Sequence, residues 1–172
     1  ISFPIFVKLG KKFLKLSHGG DDLEEDRIEA MKAKNVLELW LARKDFTQYE
    51  SVVMKLLKVA EMKKDLGPTK RAHLARHGVN VALERLRLDG CSTDALKYVA
   101  SSWELACNIL NEDAMIPAIL QLFLTARPPS PENHSFAVAS LAVALARVLS
   151  WTSPRNVYAF SLGALLHDVG LM

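Results

Sequence analysis

The sequence predicts an α+β protein, a small N-terminal β-β-α-β-α domain followed by an all-helical bundle. Two observations carry this. Short apolar runs punctuated by Gly10, Gly19 and Gly20 fill the first twenty residues, a strand-and-turn pattern. Beyond Gly67-Pro68, apolar residues recur at helical spacing almost without interruption.

The elements follow in order. Phe3 to Leu9 and Lys12 to Leu16 read as a β-hairpin turning near Gly10-Lys11. Asp21 or Asp22 is placed to cap a first helix, with Glu24, Glu25 and Asp26 in its first turn and Ile28, Ala30 and Met31 on its buried side. Val36 to Leu41 reads as a third strand. Thr47 is placed to cap a second helix carrying Tyr49, Val52, Val53, Leu56, Leu57 and Ala60. Helices are then expected over 69–88, from Ser92 or Thr93 to Leu110, and from Asp113, with Met115, Ile116, Ile119, Leu120 and Phe123 on its apolar face. Pro117 falls in that helix's first turn, where a missing N–H costs little. Pro128, Pro129 and Pro131 break the chain before His134. Helices follow over 135–149 and 154–167. The expected division is 1–66, an N-terminal regulatory or interaction domain; 67–127, helical linker and bundle helices; and 128–172, the first part of a further domain.

Bulk properties bound the answer. The 172 residues can bury a real core, and 50% hydrophobic with 24% charged residues is ordinary for a globular protein. A formal charge of +3 makes no strong case for a nucleic-acid or membrane partner. The longest apolar stretch, Phe136 to Ala146, is too short to span a bilayer. Cys91 and Cys107 form no CxxC and read as buried thiols in a reducing compartment, with a single disulfide as the alternative. Because the sequence begins with Ile1, it reads as a piece of a longer chain.

The chemistry is concentrated near the end. His134 begins one long helix, and His167-Asp168 closes the next, 33 residues after His134. An antiparallel pair of helices would bring the three together. Imidazole and carboxylate suit divalent first-row metals, and a carboxylate can bridge two of them. A bridged pair of metals generates a hydroxide at neutral pH and holds a phosphodiester for in-line attack. The competing reading is a hydrogen-bonded core His-Asp pair.

The surrounding residues favour the metal. His134-Ser135, then Val138-Ala139, Leu141-Ala142 and Leu145-Ala146, then Leu165-Leu166-His167-Asp168-Val169-Gly170 resemble the HD superfamily of metal-dependent phosphohydrolases, most closely its HD-GYP branch. The close match covers about forty residues of the chain. The first sixty resemble, more loosely, a region found ahead of some HD-GYP domains. The resemblance implies an HD-type bundle and a bacterial cytoplasmic enzyme that hydrolyses cyclic di-GMP. It implies a centre of two Fe or Mn ions. His134 and His167 would be metal ligands. Asp168 would be the bridging ligand and catalytic residue.

Three departures qualify it. The family usually has Lys after the Gly, contacting substrate phosphate, and this chain has Leu171, which removes a charge-assisted hydrogen bond. Trinuclear members carry a Glu four residues before the first His. Ser130 stands there, with Glu132 two residues off, which favours two metals over three. Further ligands and the GYP signature would lie beyond Met172, so the fragment alone is expected to be inactive. The alternative function is a degenerate module that binds a nucleotide or protein partner without catalysis. A third reading is another HD phosphohydrolase with a different nucleotide substrate. A protein partner at the N-terminal domain and a homodimer are the expected further associations.

Other residues have plainer readings. His73 and His77 share a helix face at ligand spacing, but with Arg71 and Arg76 close by they read as a solvated basic surface. His18 reads as a surface turn residue. Lys8, Lys11, Lys12 and Lys15 read as solubilising a sheet edge, ahead of meeting an acidic partner. Trp103 and Trp151 read as core, and Ser135 as a helix cap rather than a nucleophile.

Overall fold

The computed structural model describes residues 2–21, 25–34, 36, 38–112, 114–125, 130–150 and 153–171. The chain divides into two compact units, Ile1–Val52 and Val53–Met172.

The first unit holds the hairpin, β1 (Ile5–Leu9) and β2 (Lys12–Ser17), paired antiparallel. Its two-residue connection is Gly10-Lys11, and Gly10 adopts φ +60°, the left-handed region that a tight hairpin turn demands. The register sets Val7 against Leu14, Lys8 against Phe13 and Leu9 against Lys12. Ile5, Val7 and Ser17 are buried. Among the described residues the third strand does not form. Trp40 makes an isolated antiparallel bridge with Phe6, each backbone N–H donating to the other's carbonyl at 2.7 and 2.8 Å. Leu39 and Trp40 are both exposed, so successive side chains do not sort into inner and outer faces as a strand requires. Asn35 and Leu37 lie outside the described residues.

Helix α1 spans Glu25–Ala33. The Asp21 carboxylate accepts the His18 backbone N–H at 2.7 Å and closes the preceding turn. Asp22 to Glu24 lie outside the described residues. Ile28 and Met31 are half-buried, as expected, while Ala30 is exposed. Helix α2 (Phe46–Met62) follows a 3-10 turn at Arg43–Asp45, which places Thr47 inside the helix rather than at its cap. The division between units falls within α2, earlier than the Gly67-Pro68 break.

The second unit is helical: the end of α2, then α3 (Pro68–Asp89), α4 (Thr93–Leu110), α5 (Met115–Thr125), α6 (Pro131–Val148) and α7 (Pro154–Leu166). Gly67 and Gly90, at φ +72° and +66°, flank α3, and Pro68 opens it with its φ already helical. Ser92 caps α4 by accepting the Ala95 N–H at 3.2 Å. Helix α3 packs against α4, α5 and α6, and α6 against α7. Its inward face is small: Ala72, Ala75, Gly78, Val79 and Ala82 are buried. This lets bulky neighbours close in. Leu57, Leu83, Val99, Trp103, Ile109, Met115, Phe136 and Leu165 form the centre of the core.

Two polar contacts lock the bundle. Trp103 is fully buried, and its indole N–H donates to Ser161 Oγ on α7 at 3.0 Å. Arg71 is also buried. It donates to the carbonyls of Ala60 and Glu61 near the end of α2, and both oxygens of Glu112 receive its guanidinium at 2.6 and 2.8 Å. The last carbonyls of a helix lack intrahelical partners, so Arg71 serves as a side-chain cap for α2.

Candidate metal centre

Helix α6 begins four residues earlier than the sequence suggests. Pro131 is its first residue, not a breaker, and Ser130 caps it by accepting the Asn133 N–H at 3.2 Å. His134 therefore sits one turn inside a capped helix. Its neighbour Asn133 accepts a hydrogen bond at 3.0 Å from the Asn80 amide of α3, which ties this turn to the bundle. Ser135 is not a cap. It lies within α6, fully buried, and its hydroxyl has no hydrogen-bond partner among the described residues. Pro128 and Pro129 lie outside the described residues.

The other two residues come from the end of α7. The helix stops at Leu166, with His167 as its C-cap and a 3-10 turn at Val169–Leu171. Leu165 is fully buried and anchors this end in the core. Gly170 does not have a positive φ, so the turn does not depend on glycine's freedom.

Helices α6 and α7 pack so that His134, His167 and Asp168 converge. His167 Nε2 lies 3.1 Å and His134 Nε2 3.6 Å from the same carboxylate oxygen, Asp168 Oδ2. The two imidazole centroids are 5.4 Å apart. One ligand atom from each of the three lies within 4.8 Å of the others. Two donors of one ion, each about 2.1 Å from it, are separated by about 3–4 Å, which brackets both His-Asp distances.

Orientation supports the same use. His167 Nδ1 lies 2.7 Å from the Ala164 carbonyl, which can only accept, so Nδ1 carries the proton. In the neutral ring this leaves Nε2, on the side of the cluster, as the ligating nitrogen, as metal-binding histidines require. All three side chains keep access to solvent, with 56% of His134 and 37% each of His167 and Asp168 exposed. A core His-Asp pair would be enclosed. The donor set therefore fits a divalent ion whose remaining positions stay open. Sequence reading named these three residues but missed the Ala164 carbonyl, the Ser130 cap and Asn80. A carbonyl leaves no trace in residue identity, and Asn80 reaches Asn133 only through the packing of α3 on α6.

His73 and His77 are one turn apart on α3, and His73 Nδ1 lies 3.5 Å from an Arg76 nitrogen. Crowding of the rings by protein and the Arg76 cation lower both pKa values. Among the described residues, no third metal-ligating group joins them.

No protein-family model matches the chain, and no curated protein matches it. Among solved structures the chain is similar to Bd1817, an HDG"Y"P protein from Bdellovibrio bacteriovorus. The match has a TM-score of 0.72 and 22% identity, over 99% of this chain and 56% of that one. This chain thus spans just over half the length of that structure. The likeness includes the N-terminal unit as well as the helices. Among the described residues no helix is long and apolar enough to cross a membrane. The α+β arrangement expected from the strand-and-turn pattern of the first residues, with the HD-type helical bundle that residues 134–170 resemble, is the fold of this chain, and it is the fold of an HD-GYP protein.

Proposed function

We propose that this chain belongs to a metal-dependent phosphodiesterase of the HD-GYP kind, acting on cyclic di-GMP. The observation that carries the reading is the convergence of His134, His167 and Asp168 on one point, with His167 held in the ligand tautomer. In this reading His134, His167 and Asp168 would hold divalent metal, Fe or Mn, with Asp168 the ligand shared between two ions. When bound, such ions supply a nucleophile at neutral pH and a Lewis acid for the phosphodiester.

The chain's own residues do the positioning. The Ser130 cap and the Asn80–Asn133 bond fix the first turn of α6, and hence His134. Leu165 and the Ala164 carbonyl fix His167. Because Ser130 is engaged as a cap where trinuclear relatives place a Glu, the reading is of two metals. The N-terminal residues, 1–66, are the regulatory or protein-contacting part, and the cytoplasm is the compartment this chemistry implies.

The test is metal analysis of the purified chain, with cyclic di-GMP hydrolysis by the protein that contains it. Bound iron or manganese and conversion to linear product are expected. Absence of both metal and turnover sinks the proposal.

A second reading rests on Leu171. Without the Lys that neutralises substrate phosphate, the module would bind a nucleotide or a protein partner and not turn it over. Leu171→Lys separates the two: appearance of hydrolysis in an inactive parent assigns the deficit to that residue. Turnover of a different nucleotide, with cyclic di-GMP untouched, would point to another phosphohydrolase of the same fold.

A further inference from the structure

The tip of the N-terminal hairpin is apolar on both of its faces. Phe13 pairs with Lys8 on one face, while Leu14 and Leu9 lie on the other, opposite Val7 and Lys12. Leu9, Phe13 and Leu14 are 54%, 53% and 53% exposed. A soluble hairpin ordinarily turns only one face to a core and gives the other polar side chains. Here burial extends from Ile5 and Ser17 only as far as Val7, which sits opposite the exposed Leu14.

Charge marks the same region. Residues 2–20 contain Lys8, Lys11, Lys12 and Lys15 and no carboxylate. The Lys8 ammonium sits 5.2 Å from the ring centre of Trp40 and 6.0 Å from that of Phe13, and these two rings meet edge to face at 5.5 Å. Trp40 is itself exposed. The result is a tip of leucine and phenylalanine collared by lysines and an indole.

This pattern selects its occupant. A flat protein surface can cover one face of a two-stranded tip and leaves the other in water. A fluid interface surrounds both faces at once. Lysine stems can lie along the apolar boundary while their ammonium groups reach outward to anionic headgroups, and indole rings favour the same depth. We propose that the hairpin docks the protein peripherally on an anionic lipid surface. The tip of Leu9, Phe13 and Leu14 enters the headgroup boundary, and Lys11, Lys12 and Lys15 contact lipid phosphates. This extends the sequence-level view of the lysines as solubilising a sheet edge, because it accounts for the apolar residues between them. It does not depend on the metal centre.

The experiment is co-sedimentation of the chain with vesicles of phosphatidylcholine alone or mixed with phosphatidylglycerol. Binding is expected to the mixed vesicles only, and to weaken as salt is raised. Lys11→Glu with Lys12→Glu should lower partitioning by about tenfold or more, and Phe13→Ser with Leu14→Ser should do the same. Both variants should keep the parent's circular dichroism, and the lysine pair its melting temperature; the second variant also loses the Phe13–Trp40 ring contact and should melt slightly lower. Failure to bind mixed vesicles, equal binding to neutral ones, or full binding by both variants overturns the proposal. Binding to polyglutamate without binding to vesicles also overturns it and assigns the surface to an acidic protein segment.

Discussion

His134, one turn into α6, and Asp168, just past the end of α7, hold Nε2 and Oδ2 3.6 Å apart. The packing of α6 against α7 brings the two groups together from stretches of chain more than thirty residues apart. A divalent ion between them would staple the start of α6 to the end of α7. Added Mn should therefore raise the melting temperature of the chain, because a ligand that binds only the folded state stabilises it by mass action. His134→Ala and Asp168→Ala should each abolish that rise and leave the metal-free melting temperature within a few degrees of the parent. Differential scanning fluorimetry with and without Mn measures both. A rise that survives in both variants would place the metal elsewhere.

Ser161 is the polar key to α7. Its hydroxyl donates to the Val157 carbonyl at 2.7 Å and accepts from the buried Trp103 indole. Ser161→Ala leaves that N–H unpaired in the core, which costs about 1–3 kcal/mol. Urea denaturation should show the loss. Because α7 carries His167 and Asp168, Mn affinity should fall as well, whereas Val148→Ser, at an 80% exposed position on α6, should change neither.

Arg71 and Glu112 form a charge pair with unequal burial, 4% and 28% exposed. The hydrogen bond from Arg71, with burial opposing it, lowers the Glu112 pKa. A carboxylate whose folded pKa is depressed contributes stability above its unfolded value, and loses it as pH falls through the folded one. Stability should therefore decline below about pH 4.3, the ordinary Glu value. Glu112→Gln should remove part of that slope and lower stability at pH 7. Arg71→Met should cost more, about 2–4 kcal/mol, since it also strips the partner from the Ala60 carbonyl. Urea melts across the acid range measure both.

These cases show what was legible in sequence. Helix limits that rest on local chemistry could be read directly: Gly67-Pro68 before α3, Ser92 before α4, Asp89-Gly90 at the end of α3. The start of α6 was misplaced because Pro131 serves equally as a breaker and as a first helical residue, and only the Ser130 cap decides between them. The third strand failed for a different reason. Val36 to Leu41 has strand-like composition, but pairing is a property of two segments, and among the described residues only Trp40 bridges to β1. For the site, the ligand types and their spacing were visible. The Ala164 carbonyl that sets the tautomer was not, because backbone groups are the same at every position.

Gly78 on α3 faces Leu57 of α2, and a Cβ there would lie 2.9 Å from a Leu57 methyl carbon. In a free helix, Gly→Ala gains about 1 kcal/mol of propensity. Here Leu57 is buried and has to shift within a packed core, at a cost of about 1–3 kcal/mol. Gly78→Ala should thus be neutral to destabilising. Combined with Leu57→Ala, it should cost less than the sum of the two single changes, because the cavity accepts the new methyl. A double-mutant cycle in urea with strict additivity would contradict the contact.

His73 and His77 provide the control for the metal centre and a separate pH effect. Crowding of the rings and the Arg76 cation both disfavour their protonated forms. A histidine whose folded pKa is lowered binds its proton more readily in the unfolded chain. Its contribution to stability is thus complete above the ordinary value of about 6.5 and falls as pH drops below it. His77→Gln should flatten the stability profile between that value and the lower folded pKa. It should leave Mn-induced stabilisation intact, as should His73→Gln, because no third ligand joins this pair among the described residues. Melting temperatures across mildly acidic pH, with and without Mn, test both halves. Loss of the Mn effect in His77→Gln would mean that α3 contributes a ligand and that the centre extends beyond His134, His167 and Asp168.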